Sequence, residues 1–133
     1  ILPIISTMPK DNHSVMQLYL DGFKNNFFTI FYCKEKFSQK LNKNKLLEAY
    51  EYLGSQSIDN ILFNQKSATE KVFKLKNIPF RSFEIRNRNE KTLGELFCYF
   101  ILETILLGRA LNINPFDQPS VELIKEETKK LFF

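Results

Sequence analysis

Residues 27–33 have the sequence FFTIFYC, and this stretch decides the fold class. It is rich in aromatic and β-branched residues, and it is apolar on both alternating sides rather than on one. A strand that is apolar on both faces is typical of the interior of a sheet that helices cover on both sides. The stretch therefore predicts a buried interior strand.

The segments that follow this strand alternate between helical and extended patterns. Residues 44–77 predict two helices that are broken near Gly54, and the second of them runs from about Ser57 to Leu75. Its buried stripe is predicted at every third or fourth position, namely Ile58, Ile61, Leu62, Gln65, Ala68, Val72 and Leu75. Residues 79–86 predict a second strand, less buried and nearer an edge of the sheet.

The last third of the chain is predicted to hold two helices and one loop. Thr92 is expected to cap a helix from about Leu93 to Leu111 that is apolar almost all round, and such a helix should be enclosed by protein on most sides. Residues 112–118 predict a loop. Pro119 suits the first position of a final helix.

The first part of the chain predicts an extended segment over residues 1–8 and then a short helix. Asn12 is a suitable N-cap for a helix from His13 to Leu20, and Gly22 stands where a left-handed residue commonly ends a helix. The chain opens on an apolar run with no initiator methionine. This predicts a fragment or a processed product whose covering residues are missing.

The order of these elements predicts an α/β fold that is helix-rich, with two or three strands. The third strand would come from residues 1–6. A chain of 133 residues has the length of one ordinary domain, so residues 1–133 are predicted to form a single domain. Two or three strands make a poor sheet alone, because interior strands need neighbours on both sides.

The composition argues against nucleic-acid and membrane partners. A net charge of +4 and a pI near 9.0 raise the first possibility, but the basic residues are interleaved with glutamates and do not alternate with aromatic residues along a predicted strand. No apolar stretch approaches the ~20 residues that a membrane helix needs. Cys33 and Cys98 lie in apolar runs, which predicts buried, reduced thiols in a soluble cytoplasmic protein.

His13 is the single histidine, and it is predicted at the start of a helix. An imidazole at this place is a common acid–base group in enzymes. The alternative is an ordinary exposed or capping histidine.

Lys125 is unusual for its position on the last helix. At about 100° per residue it falls on the same face as Val121 and Phe132, whereas the glutamates and the other lysines occupy the opposite side. The ammonium could point into a cleft and meet a substrate oxygen. Alternatively, its stem covers apolar surface while the charge reaches water.

Three further polar residues could contribute to a site. Asp117 and Gln118 lie at the start of the last helix, where a side chain can cap the helix or meet a ligand. Glu103 lies in an apolar helix and predicts a structural hydrogen bond or ion pair. The sequence has no glycine-rich phosphate loop, nucleophile set or Cys/His metal cluster, so it predicts no metal site.

Two segments resemble those of the glucose-6-phosphate isomerase family. Residues 114–125, NPFDQPSVELIK, are similar to its C-terminal signature, in which Phe-Asp-Gln is followed by a small residue, Val-Glu and, three positions on, a lysine. Residues 9–18, PKDNHSVMQL, resemble the segment in which a histidine precedes a helix. Residues 92–96, TLGEL, together with the long apolar helix and its Glu103, also match the layout of the family. Ser120 and Ile124 depart from it, since many members have glycines there.

The resemblance implies the C-terminal part of an aldose–ketose isomerase that interconverts glucose 6-phosphate and fructose 6-phosphate through ring opening and a cis-enediol, without a cofactor. It implies a truncated three-layer αβα domain of the sugar isomerase (SIS) type, which is flavodoxin-like. His13 and Lys125 would open the sugar ring, and Gln118 would lie in the substrate pocket. The glutamate base, an arginine and the phosphate-binding serines and threonines would precede residue 1. The complete enzyme would be a homodimer of glycolysis and gluconeogenesis.

Two other functions remain open at the level of sequence. The isolated chain is expected to be inactive as an isomerase, because it lacks the base that moves the proton between C1 and C2. A stand-alone, non-catalytic SIS-like module that binds a sugar phosphate is the alternative. A basic nucleic-acid binder is a weaker third one.

Overall fold

The computed structural model describes residues 3–22, 24–34 and 39–132. The chain divides into two compact units, Ile1–Arg88 and Asn89–Phe133. The helices and strands, in chain order, are α1 (Val15–Asp21), β1 (Phe28–Cys33), α2 (Ile58–Leu75), β2 (Phe80–Ile85), α3 (Glu90–Ala110) and α4 (Pro119–Lys130). The single-domain organisation stays a prediction.

The first unit contains a two-stranded parallel sheet. β1 pairs with β2 in a register that runs from Phe28 opposite Phe80 to Cys33 opposite Ile85. The connection between the two strands contains α2, as parallel strands require. Both strands were predicted to within one residue at each end, and the α/β fold class, helix-rich with two strands, is confirmed.

Two predicted elements are wrong. The described part of the first segment, residues 3–8, forms no strand, so the third strand is not found there. The helix predicted before Gly54 is replaced by two 3-10 turns, Lys43–Lys45 and Glu48–Leu53. The extended backbone of Leu46 and Leu47 separates these turns, and it breaks the hydrogen-bond ladder that an α-helix would need.

The core of the first unit is aromatic, with Phe73 of α2 at its centre. Phe73 is 1% exposed, and its ring centroid lies 4.7 Å from that of Phe28 and 5.7 Å from that of Phe80. Tyr19 of α1 adds an edge contact to Phe28 at 5.1 Å. We call these four residues the aromatic core. It joins α1, α2 and both strands.

The buried face of α2 differs from the predicted stripe. The two ends of the predicted stripe, Ile58 and Leu75, are exposed, Leu75 to 82%. Phe73 is not part of the predicted stripe, and yet it is the most buried residue of α2. Asp59 and Lys66 contact the sheet side chain Tyr32. An apolar pattern cannot locate a packed helix face that contains paired polar side chains.

These polar groups form a junction between α2 and β1. The Tyr32 hydroxyl donates a hydrogen bond to Asp59 Oδ1 at 2.8 Å. Lys66 Nζ lies 3.0 Å from Glu70 Oε1 and stands over the rings of Tyr32 and Phe63, at 5.9 and 5.7 Å from their centroids. The Tyr32 hydroxyl and the Lys66 ammonium thus each face an acidic side chain, which lowers the cost of placing these polar groups beside a core.

Burial, supported by the hydrogen bond to Asp59, raises the pKa of Tyr32 from 10.0 to about 12. Because the folded state holds the phenol proton more tightly than the unfolded state, the neutral phenol stabilises the fold below about pH 10, and this stabilisation is lost as the pH rises through about 12. In a tyrosinate absorbance titration we expect a late ionisation phase from Tyr32. The variant Tyr32→Phe should lack it and the exposed control Tyr52→Phe should keep it. Ionisation of Tyr32 near pH 10 in the folded protein would contradict the junction.

The other face of the sheet is more open. Phe31 stacks on Phe83 with ring centroids 5.3 Å apart, and Phe31 is 50% exposed. The Arg81 guanidinium lies 5.5 Å from the ring centroids of both Phe27 and Phe83, and its Nε donates to Thr29 Oγ1 at 2.9 Å. The prediction that β1 is buried on both faces thus holds for one face only within the described part of the chain.

Gly22 ends α1 for a different reason from the one predicted. Its φ of −87° is not left-handed, so the predicted left-handed ending is not found. A Cβ at this position would instead collide with the carbonyl oxygen of Leu18. The close approach allows the Gly22 N–H to donate to that same oxygen at 2.8 Å.

In the second unit, α3 spans 21 residues, and most of its apolar side chains are exposed. The prediction of an enclosed helix is wrong for this chain, since Phe97, Ile101 and Leu106 are each at least 60% exposed. Cys98 is also exposed rather than buried. No described helix combines the length and apolarity needed to cross a membrane.

Candidate functional site

His13 follows a braced turn in the first unit. The Thr7 backbone N–H donates to the Asp11 carboxylate at 2.6 Å, and the Asp11 N–H donates back to the Thr7 carbonyl at 3.0 Å. The 3-10 turn Lys10–Asn12 comes next. These bonds fix the backbone that leads into His13.

α1 begins two residues later than predicted. Val15 is its first residue and Ser14 its N-cap, so Asn12 does not cap it. The His13 side chain is exposed and makes no hydrogen bond or ion pair with the described residues. It is therefore accessible to solvent and to a ligand, and the structure gives it no packing role.

The end of α3 positions the loop that carries the second group of candidates. Asn112 has a left-handed φ of 55°, and the N–H of Ile113 donates to the Gly108 carbonyl at 2.8 Å. This is the Schellman arrangement, in which a left-handed residue satisfies the last carbonyls of a helix. A Cβ on Gly108 would lie 3.1 Å from both Ile113 O and Pro115 Cβ, so the missing side chain lets the loop pack against the helix end.

The start of α3 also differs from the prediction. Asn89 is the N-cap, and its Oδ1 accepts a hydrogen bond from the Thr92 N–H at 2.9 Å. Thr92 thus lies in the first turn rather than before it. The helix begins three residues earlier than expected, at Glu90.

Gln118 is the N-cap residue of α4, with Pro119 at the first helical position as predicted. Its backbone carbonyl accepts from the N–H groups of Val121 and Glu122, at 2.9 and 3.1 Å. Its side chain, however, makes no capping hydrogen bond. Of the two alternatives for Gln118, capping is therefore not observed, and its amide has no partner among the described residues.

Lys125 lies two turns further along α4 and is 62% exposed. Its Nζ donates to Glu122 Oε1 at 2.6 Å, which is an ordinary i,i+3 helix pair. Its apolar neighbours Val121 and Ile124 are exposed as well. The helix face that sequence reasoning assigned to Lys125 is therefore uncovered in this chain.

Gln118 and Lys125 thus share one helix of the second unit, and His13 belongs to the first unit. Among the described residues there is no group of three His, Cys, Asp or Glu side chains that could hold a metal ion. Sequence reasoning assigned no individual role to Gly108, Asn114 or Glu122. The signal for Asn114 was available, because an asparagine before proline favours a local turn.

Comparison with known proteins adds an independent observation. No family model matches the sequence. A probable glucose-6-phosphate isomerase of Methanococcus maripaludis is 33% identical over 93% of this chain. Glucose-6-phosphate isomerases of Mycoplasmopsis pulmonis and Methanocaldococcus jannaschii are 34% and 30% identical, each over 98% of it. The chain is similar to the C-terminal part of glucose-6-phosphate isomerases.

The similarity to these isomerases covers almost all of this chain but only part of theirs. The chain spans 28–31% of the length of these three relatives. Among solved structures, a hypothetical protein of Thermus thermophilus superimposes with a TM-score of 0.76 and 25% identity, over 94% of this chain and 30% of that one. The fold is consistent with a SIS-like αβα domain, as the resemblance implied.

Proposed function

We propose that this chain is part of an aldose–ketose isomerase that interconverts glucose 6-phosphate and fructose 6-phosphate in glycolysis and gluconeogenesis. The observation that carries the proposal is the similarity to glucose-6-phosphate isomerases over 93–98% of the chain. The site geometry supports it, because the isomerase-like motif places Gln118 at the start of α4 with its amide unused. A group without a structural role is available for a ligand.

In this proposal His13 and Lys125 open the sugar ring. Ring opening needs a group that can take and give a proton near neutral pH, which an imidazole can do. It also needs a positive charge beside the oxygen on which negative charge develops, and an ammonium supplies it. Both side chains are exposed in this chain. Gln118 would donate a hydrogen bond to a sugar hydroxyl or accept one from it.

The remaining steps would depend on another polypeptide segment. This segment would correspond to the two thirds or more of the relatives' length that the chain does not span. It would supply the base that moves a proton between C1 and C2 and the groups that hold the phosphate. The exposed apolar side chains of α3 support this, because such a surface normally contacts protein. We further propose a single cytoplasmic domain over residues 1–133 within a homodimeric enzyme.

The proposal is tested by reconstitution. We expect the purified 133-residue chain to be inactive on fructose 6-phosphate, since removal of general acid–base catalysis costs roughly 10²–10⁴-fold in rate. Mixing it with a polypeptide that supplies the rest of the isomerase should restore activity, measured by coupled assay of glucose 6-phosphate. A chain carrying Lys125→Ala is the control and should restore far less.

Two outcomes would contradict the proposal. Isomerisation by the chain alone at the rate of a complete enzyme would show that no further segment is needed. Specific sugar-phosphate binding by the chain, with no activity in any mixture, would favour the non-catalytic SIS-like module.

A further inference from the structure

In the loop between α3 and α4, the Asn114 side chain bridges two later residues. Its Oδ1 accepts a hydrogen bond from the Phe116 backbone N–H at 3.1 Å, and its Nδ2 donates to Asp117 Oδ2 at 2.9 Å. Only one orientation of the amide satisfies both bonds, because the oxygen cannot donate and the NH₂ group cannot accept. Asn114 therefore fixes the loop both at the backbone and at a side chain.

The bond to Asp117 holds the residue that directly precedes the N-cap of α4. Aspartate is among the preferred capping residues, and it stands one position before the N-cap of α4. Asn114 holds its carboxylate in the loop instead. Gln118 is the N-cap because Pro119 at the first helical position disfavours helical backbone at the residue before it, and the Gln118 side chain makes no capping bond.

We propose that Asn114 is a positioning residue that sets Gln118 for the binding of a sugar phosphate, acting through Asp117. The inference rests on the proposed function, because that function gives the Gln118 amide its ligand. Asn114 itself contacts no substrate in this view. Its effect is to fix the direction in which the Gln118 side chain leaves the start of α4.

An exchange of the side chains at positions 114 and 117 tests the positioning role of Asn114 and leaves the length of the loop unchanged. In Asn114→Asp the new carboxylate can still accept from Phe116 N–H, but it cannot donate to Asp117 and repels it. In the double variant Asn114→Asp with Asp117→Asn, the new amide at 117 can donate to the new carboxylate at 114. The pair is thereby restored with its donor and acceptor reversed.

In the 133-residue chain, we expect Asn114→Asp to shift the side-chain amide NMR resonances of Gln118 and the double variant to return them towards their original positions. The thermal unfolding midpoint should change little, because both bonds are at the surface. Unchanged Gln118 resonances in Asn114→Asp would overturn the inference, whether or not the reconstituted isomerase is active.

In the reconstituted isomerase, Asn114→Asp should raise KM for fructose 6-phosphate by about 10-fold, with kcat changed by less than about 3-fold, and the double variant should recover most of the loss. Gln118→Ala separates the two proposals. If Gln118→Ala raises KM and Asn114→Asp does not, the inference is wrong and the proposed function stands. If Gln118→Ala leaves KM unchanged, the binding role of Gln118 fails, and the inference fails with it.

Discussion

In a reconstituted isomerase, Lys125→Ala and His13→Ala are each expected to lower turnover of ring-closed glucose 6-phosphate by roughly 10²–10⁴-fold. The loss should be much smaller on an aldose phosphate too short to form a ring. The reason is that both side chains are assigned to ring opening, which such a substrate bypasses. The measurement is a comparison of kcat/KM for the two substrates in each variant.

Lys130 provides a matched control on the same helix. Its Nζ donates to Glu127 at 2.6 Å with i,i+3 spacing, as Lys125 does to Glu122. The variant Lys130→Ala removes an equivalent surface pair, which contributes little to stability. Because Lys130 has no assigned role in the reaction, kcat/KM should stay within about 2-fold. An equal loss on both substrates for Lys125→Ala would exclude a specific role in ring opening.

Phe73→Ala is expected to destabilise the first unit by about 3–5 kcal/mol, the usual cost of emptying the site of a buried phenylalanine. Phe73 is 1% exposed and contacts both Phe28 and Phe80, so its loss separates α2 from both strands of the sheet. The free energy of unfolding of a typical domain is about 5–15 kcal/mol, so this substitution would remove a large part of it. Urea unfolding followed by circular dichroism measures the change.

The control for Phe73→Ala is Leu75→Ala, two residues further along α2. Leu75 is 82% exposed, and its truncation should change the free energy of unfolding by no more than about 0.5 kcal/mol. The two variants also distinguish between two buried faces of α2. The face predicted from periodicity includes Leu75, and the face in the structure contains Phe73. Equal effects of the two substitutions would contradict the aromatic core described above.

The elements that sequence predicted well are those specified by local patterns. β1 and β2 carry β-branched and aromatic runs. Ser57 is the N-cap of α2 and Pro119 is the first residue of α4, and both residue types mark a helix start. The face of α2 was missed because Asp59 and Lys66 are paired with the sheet rather than exposed. The periodicity of apolar residues does not indicate tertiary pairing of this kind.

The candidate site was less predictable than the fold. Helical phase singled out Lys125, but the surface that would surround it is uncovered in this chain. His13 was chosen mainly through the resemblance, and its role stays a prediction. The bonds of Asn114 depend on the orientation of one amide in a short loop, which the sequence does not specify.

The exposed apolar surface of α3 has a thermodynamic consequence for assembly. Burial of apolar area on association carries a negative change in heat capacity, and the attraction weakens on cooling. An isomerase joined through α3 would therefore be cold-labile, dissociating more readily near the freezing point of water than at room temperature. Calorimetry of the reconstitution at several temperatures would give the sign and size of that heat-capacity change.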